Sequence, residues 1–218
     1  MRHPRRSLFV GKKVIFHSIN IVRARRIIDS ITVMDPRVEK SFARVRKLLD
    51  QHGIKFQPAG GLVLNLYGAG RPTFDIDIVV PAGQWKRSLD ILSDVAIDRE
   101  YLGLEHEPKP AALKMAEGPW VEVWPSGTTA GEIARIRGAY KKHASSEVRM
   151  AASGNPLVNI INSKLASGLS AIDRQKDLGD VQEIIKAQNL DRAFAAKLHP
   201  SVRKAFVKLI PSRSHAHS

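Results

Sequence analysis

The stretch from Gly60 to Val80, which reads GGLVLNLYGAGRPTFDIDIVV, constrains the fold of this chain more than any other. Its pattern predicts a glycine turn, a short helix, a loop and then a strand that carries two aspartates. Side chains two positions apart project from the same face of a strand, so Asp75 and Asp77 point one way and Ile76 and Ile78 the other. The apolar residues around the acids favour a strand in a core over a ribbon at the surface.

The two aspartates impose an electrostatic condition on whatever surrounds them. Two unit charges about 6 Å apart repel by about 3 kcal/mol at an effective dielectric constant of about 20, and by less than about 1 kcal/mol in bulk water. The pair is therefore either fully solvated, which is the usual state of a lone D-x-D, or neutralised by something cationic. Carboxylate oxygens are the ligands that hard divalent cations prefer.

A glycine pair, Gly60-Gly61, precedes the predicted helix. The first N–H groups of a helix are unpaired and attract phosphate oxygens, and glycine allows a phosphate to approach closely. A glycine pair more often marks an ordinary turn. Here it lies shortly before the paired carboxylates, and the two features together supply the phosphate-binding and metal-binding halves of a nucleoside triphosphate site.

This stretch resembles the signature of the nucleotidyltransferase fold of the DNA polymerase β-like superfamily, in the branch of minimal nucleotidyltransferases and AbiEii-type toxins. The resemblance covers roughly residues 36–186 and implies an α/β (α+β) fold: a mixed β-sheet flanked by helices, plus a small helical C-terminal region. It implies two Mg²⁺ ions held by the aspartates, which are then the catalytic residues, and an NTP substrate bound by the other matching residues. The residues that match are Gly60, Gly61, Arg71, Thr73, Asp75 and Asp77.

A third carboxylate belongs to the same family signature, on a later strand. Glu122 holds the matching position in Val121-Glu122-Val123, so the resemblance makes it the third catalytic and metal-binding residue. A single Glu in a strand is usually the solvent-facing position, and that interpretation stays open. The family often has Asp there, so the longer Glu would reach a metal differently.

Lys164 matches a lysine that the family places near the triphosphate. It lies beside the apolar stripe of a helix that the cap and proline of Asn155-Pro156 predict. A lysine that snorkels from a buried helix is the competing explanation.

The segment Asp173–Val181 resembles the family motif R-x-K-D-x-x-D. By resemblance, Lys176 and Asp177 either approach the nucleotide or hold the helical region against the sheet. Spacing of i,i+4 joins Asp173 to Asp177 and Lys176 to Asp180, so ion pairing on a helix surface explains much of the motif, and Asp180 is assigned a structural role.

The excess of basic residues indicates acidic partners. The chain has 218 residues, with 35 Lys and Arg against 21 Asp and Glu, a formal net charge of +14. Asp29 is the only acid before residue 35, and none follows Asp191. We therefore expect RNA, such as a tRNA end, as the acceptor, with small-molecule and protein acceptors left open. A toxin of this branch would also have a cognate antitoxin protein as partner, and a non-catalytic nucleotide-binding or nucleic-acid-binding protein is the alternative function.

The order of elements predicts a basic N-terminal extension over residues 1–34, a nucleotidyltransferase core over 35–154, a helical region over 155–210 and a disordered tail over 211–218. Within the core we expect a helix from Asp35-Pro36, strands over Ile54–Gln57 and Ser145–Met150, a helix over Trp85–Val95 and a hairpin around residues 117–119. The chain has no cysteine and no apolar run of the ~18–20 residues that span a bilayer, so we expect a cytoplasmic protein without membrane contact.

Overall fold

A computed structural model describes residues 35–69, 72–102, 110–116 and 118–211. The predicted N-terminal extension, nearly all of the predicted tail and the candidate residue Arg71 lie outside the described residues. The helices and strands of the described part are, in chain order, α1 (Pro36–Gln51), β1 (Gln57–Ala59), α2 (Gly60–Leu66), β2 (Asp75–Val80), α3 (Trp85–Ser93), β3 (Ala96–Tyr101), β4 (Ala111–Met115), β5 (Trp120–Pro125), α4 (Ala130–Ile136), α5 (Pro156–Ser170), α6 (Lys176–Gln188) and α7 (Pro200–Leu209).

The two helix starts predicted from a cap followed by proline are confirmed. The carboxylate of Asp35 accepts a hydrogen bond from the Arg37 N–H at 2.8 Å at the start of α1. The Asn155 side chain accepts one from the Leu157 N–H at 3.0 Å at the start of α5. Each cap satisfies a backbone donor that the first helical turn leaves without an intrahelical partner.

Five strands form one mixed sheet in the order β1-β2-β5-β4-β3. The central pair, β2 and β5, is parallel, whereas the other three pairs are antiparallel. The antiparallel pairing of β4 with β5 confirms the predicted hairpin. The mixed sheet with its flanking helices confirms the predicted α/β (α+β) class and is consistent with a nucleotidyltransferase fold.

Two hydrophobic clusters lie on opposite sides of the central strands. The first joins the apolar face of the sheet to α1 and α3, and it contains the fully buried Ile76 and Ile78. The second joins α5, α6 and α7 to Val63 and Leu64 of α2 and to Ala130 of α4. The second cluster therefore takes residues from both sides of position 155. The described residues include no helix that is both long and apolar enough to cross a membrane.

Two predicted strands are wrong. The first strand runs over Gln57–Ala59 and not over Ile54–Gln57; Ile54 precedes the sheet and is buried in the first cluster. Residues 144–147 form a 3₁₀ turn, since the His143 ring accepts the Ser145 N–H at 3.1 Å and caps it. Only an isolated bridge between Thr129 and Arg149 remains of the strand expected there.

Strand β3 was not predicted at all. Three of its six residues are the charged Asp98, Arg99 and Glu100, so it lacks the apolar alternation that marks a half-buried strand. It lies at the edge of the sheet, where charged side chains are common because they block further pairing.

Candidate active site

The parallel pairing of β2 with β5 sets three carboxylates on one face of the sheet. Asp77 lies directly opposite Glu122 in the register, and Asp75 lies two residues before Asp77 on the same strand. Side chains at i and i+2 share a face of a strand, as do directly opposed residues of neighbouring strands. The structure thus brings together the three carboxylates singled out in the sequence.

The glycine pair makes room for these acids. Gly60 has a φ of +56°, and a Cβ at this position would collide with the Asp77 carboxylate. A Cβ at Gly61 would collide with the hydroxyl of Thr73. That hydroxyl donates a hydrogen bond to Asp75 Oδ1 at 3.1 Å, which orients the first carboxylate. The first turn of α2 therefore lies directly against the acidic face of β2.

Asp77 is a half-buried acid among other acids. Burial, followed by the charges of Glu122 and Asp75 and a hydrogen bond with Glu122, raises its pKa from the ordinary 3.8 to about 8, against an opposing effect of Arg137. Asp77 is consequently mostly protonated at neutral pH, because it is removed from water and lies beside two other acids.

Besides its hydrogen bond with Asp77, Glu122 is held by donors from two other residues. Its Oε2 accepts a hydrogen bond from the Trp124 indole N–H at 3.1 Å and one from Arg137 Nη2 at 3.3 Å. Among the described residues, no three carboxylate or imidazole side chains are arranged to hold a metal ion as they stand.

Arg137 was not identified as a site residue from the sequence. It follows the last turn of α4, whose start is fixed by a capping box between Thr129 and Glu132. The T-x-x-E spacing of that box could have predicted the helix and its basic end. Contact with Glu122 depends on how α4 returns to β5, which local sequence does not encode.

A cleft with a cavity volume of about 190 Å³, open to solvent, lies between the acidic face of the sheet and helices α5 and α6. Glu122 and Thr73 lie just outside its lining, and Trp124 and Arg137 complete the wall near Glu122. Seven of the predicted site residues line this cleft: Gly60, Gly61, Asp75, Asp77, Lys164, Lys176 and Asp177.

The helical wall of the cleft holds a buried ion cluster. Lys164 Nζ lies 2.6 Å from Asp177 Oδ1 and 2.9 Å from Asp180 Oδ2, and Arg174 Nε lies 2.9 Å from Asp177 Oδ2. Burial by itself raises the pKa of Asp177, but the charge of Lys164, hydrogen bonds from Lys164 and Ser167, and the charge of Arg174 hold its pKa below the usual value.

This cluster corrects the pairing expected for the Asp173–Val181 motif. Helix α6 begins only at Lys176, so Asp173 precedes the helix and is not paired with Asp177 on a helix surface. Asp177 and Asp180 instead share Lys164 of the neighbouring helix. Lys164 therefore ends in an ion cluster and does not snorkel to water, whereas Lys176 is exposed at the cleft.

The comparisons with known proteins give a weak likeness. No family model and no curated protein matches the chain. It is similar to the solved structure of a CCA-adding enzyme with CTP, at 19% identity and a TM-score of 0.37 over 47% of this chain and 23% of that one. It is also similar to the lincomycin-bound lincosamide antibiotic adenylyltransferase LnuA, at 20% identity and a TM-score of 0.35 over 42% of this chain and 58% of that one.

A third likeness is to ANT(2")-Ia in complex with adenylyl-2"-tobramycin, at 14% identity and a TM-score of 0.45 over 78% of this chain and 96% of that one. This chain covers less than two thirds of the length of the CCA-adding enzyme and of LnuA. Because all three TM-scores lie below 0.5, the function of this chain has to be inferred from its own residues.

Proposed function

We propose that this chain is a metal-dependent nucleotidyltransferase that moves an NMP from an NTP to an acceptor hydroxyl and releases pyrophosphate. The observation that carries the proposal is the position of Asp75, Asp77 and Glu122 on one face of the sheet, beside a cleft that is open to solvent. Because the cleft is open to solvent, a nucleotide can reach this face of the sheet.

The carboxylates fit Mg²⁺ by their chemistry. They offer hard oxygen donors, and the excess of negative charge that keeps a proton on Asp77 would be relieved by a divalent cation. Asp75 and Asp77 would hold two ions, with Glu122 as a further ligand on the acceptor side. When bound, the ions would acidify the acceptor hydroxyl and neutralise charge that develops on the triphosphate.

The chain's own groups would position the nucleotide. The backbone N–H groups of Gly60 and Gly61 would donate to phosphate oxygens, and the Thr73 hydroxyl keeps Asp75 oriented. Lys164 is already paired with two carboxylates, so the exposed Lys176 is the freer cation toward the triphosphate. Asp177 would act indirectly, by fixing Lys164 in the cleft wall. The resemblance adds Arg71 to the nucleotide-binding residues.

RNA is the acceptor that we propose. The net charge of +14 supports an acidic acceptor, because Lys and Arg attract a phosphate backbone without regard to sequence. The likeness of the signature to AbiEii-type toxins supports a toxin whose cognate antitoxin is a protein partner. Induced expression would then arrest growth with the native chain but not with Asp77→Asn, and co-expression of the product of an adjacent gene would restore growth.

The activity is tested by incubating the pure protein with each α-labelled NTP, Mg²⁺ and total RNA. We expect label on RNA and release of pyrophosphate, both reduced at least about 100-fold in Asp77→Asn. Asp98→Asn is the matched control, since Asp98 is an exposed acid on β3, away from the lining of the cleft. Absence of pyrophosphate with every NTP, from protein that melts cooperatively, would reject the enzyme and favour a binding protein. Pyrophosphate without labelled RNA would reject only the acceptor.

A further inference from the structure

We propose that Arg137 is a positioning residue that exchanges partners: it holds Glu122 while the cleft lacks a divalent cation, and it turns to the phosphates of the substrate once Glu122 ligates that cation. This inference rests on the proposed function and adds to it a residue that couples metal binding to triphosphate binding.

The pairing of Arg137 with Glu122 is loose in comparison with the other ion pairs of the cleft. Its N–O distance is 3.3 Å, whereas charge-assisted hydrogen bonds of this kind are typically about 2.7–2.9 Å long. The Arg137 side chain is 37% exposed and that of Glu122 is 19% exposed. The Lys164–Asp177 pair is 2.6 Å long, with exposures of 7% and 0%. A loose, partly solvated pair costs less to break than a tight, buried one.

A divalent cation competes well for the Glu122 carboxylate. Mg²⁺ binds carboxylate oxygens at about 2.0–2.1 Å and carries twice the charge of a guanidinium, so it attracts Glu122 more strongly than Arg137 does at 3.3 Å. Asp75 and Asp77 on the same face would hold the ion close to Glu122. Trp124 and Arg137 both donate to Glu122 Oε2, so charge is what separates them. The cation repels the guanidinium but not the neutral indole N–H, so Trp124 keeps its hydrogen bond while that of Arg137 is weakened.

The released guanidinium already lies in the wall of the cleft. Its backbone is fixed, since the Arg137 N–H donates to the Ile133 carbonyl at 3.1 Å at the end of α4. The guanidinium carbon lies 5.8 Å from the centre of the Trp124 ring. Only side-chain rotation is therefore needed to bring it to a phosphate, which its planar fork can bind through two hydrogen bonds.

A purely structural role makes a different prediction. If Arg137 only ties α4 to β5, its loss would weaken the fold but would not affect metal and triphosphate in opposite directions. Exchange predicts that removing Arg137 strengthens binding of the ion, because a competitor is lost, and weakens binding of the triphosphate, because a ligand is lost. The second effect arises only when the ion is bound.

The test uses the full chain and two ligands, Mn²⁺ alone and an NTP analogue whose α,β-bridge is methylene, in calorimetric titrations. Arg137→Met removes the charge and keeps much of the length. Arg135→Met is the matched control on the same helix, because the Arg135 guanidinium stacks over Tyr140, 4.2 Å from the ring centre. We expect Arg137→Met to bind Mn²⁺ severalfold more tightly than the native chain, and at saturating Mn²⁺ to bind the analogue roughly tenfold more weakly.

Without metal, the native chain and Arg137→Met should bind the analogue equally, and Arg135→Met should match the native chain throughout. Arg137→Lys keeps the charge but not the planar fork of the guanidinium. It should therefore keep the native affinity for Mn²⁺ and lose part of the affinity for the analogue. This variant replaces Arg137→Met if the latter does not fold. Unchanged affinities in the folded variant, or weaker binding of both ligands, would overturn the exchange alone. A native chain that binds neither ligand would overturn the proposed function with it.

Discussion

Two ionic clusters flank the same cleft, and they differ in their balance of charge. The sheet cluster consists of Asp75, Asp77, Glu122 and Arg137, three acids and one base. The helix cluster consists of Lys164, Arg174, Asp177 and Asp180, two bases and two acids.

Burial raises the pKa of an aspartate in both clusters, yet the outcome is opposite. The pKa of Asp77 is raised to about 8, whereas that of Asp177 is lowered. Burial alone therefore does not decide the charge state of an acid; the number of cations beside it does. Among the residues that the structure describes, two cations face two acids in the helix cluster, whereas a single cation faces three acids in the sheet cluster. The first is suited to hold the fold together and the second to bind a cation from outside.

Removing one acid from the helix cluster is the change with the largest expected effect. Asp177→Ala leaves Lys164 and Arg174 without their shared partner, and a broken buried pair costs about 3–5 kcal/mol. We expect the melting temperature to fall by roughly 10 °C at pH 7. Glu183→Ala is the control on the same helix, because its pair with Lys186 is more than half exposed, and it should cost less than about 1 kcal/mol. Equal losses in the two variants would show that the buried helix cluster stabilises the fold no more than an exposed ion pair does.

A side chain at position 60 should disturb the sheet cluster through contact alone. Gly60→Ala adds a Cβ that meets the Asp77 carboxylate, at a φ of +56°. We expect a loss of at least about 2 kcal/mol in the free energy of unfolding, of which roughly 1 kcal/mol is backbone strain. Gly53→Ala measures the strain by itself, since Gly53 has a φ of +68° and nothing within 4 Å of the added Cβ. In an Asp77→Ala background, the loss of stability caused by Gly60→Ala should fall to that of Gly53→Ala, because the carboxylate that the added Cβ meets is gone.

The two clusters should also differ in how stability depends on pH. Unfolded Asp77 ionises near its ordinary pKa of 3.8 and folded Asp77 near 8, so between these values the folded state binds more protons, and its stability falls as pH rises. The side chain of Asp77→Asn does not titrate in this range. The melting temperature of this variant should therefore exceed that of the native chain by an amount that grows as pH rises to about 8, where it reaches roughly 5 °C. For Asp177 the sign is reversed: its contribution is present at neutral pH and is lost as pH falls through its lowered pKa. Melting curves from pH 3 to 9 check both, and a pH-independent difference between Asp77→Asn and the native chain would contradict the first.

The smallest expected effect is a release of protons. A divalent cation that binds the sheet cluster displaces the proton of Asp77, so adding Mg²⁺ in weak buffer at pH 7 should release up to about one proton per chain. At pH 9, above the raised pKa of about 8, the release should nearly vanish. A pH-stat titration measures it, and Asp177→Asn should leave it unchanged. Release of the same size at both pH values would show that another group supplies the proton.

Local patterns predicted those parts of the site that depend on neighbours in sequence. Alternation placed Asp75 and Asp77 on one face, and caps with proline placed the starts of α1 and α5. The alignment of Glu122 with Asp77 is set by pairing between strands distant in sequence, and only the family resemblance suggested it. The contacts of Arg137 with Glu122 and of Lys164 with Asp177 join separate elements, so no local spacing encodes them. Strand β3 escaped prediction because its charged sequence lacks a buried face.

The register between β2 and β5 ties the formation of the core to the formation of the carboxylate site. Side chains alternate along each strand, so a slip of one residue in β5 would send Glu122 into the apolar interior and drive Val121 and Val123 out of it. Such a slip is unfavourable even without a ligand, because it exposes the two valine side chains to water. A chain that has packed Val121 and Val123 inward has thereby aligned its acids, and assembly of the site requires no maturation step of its own.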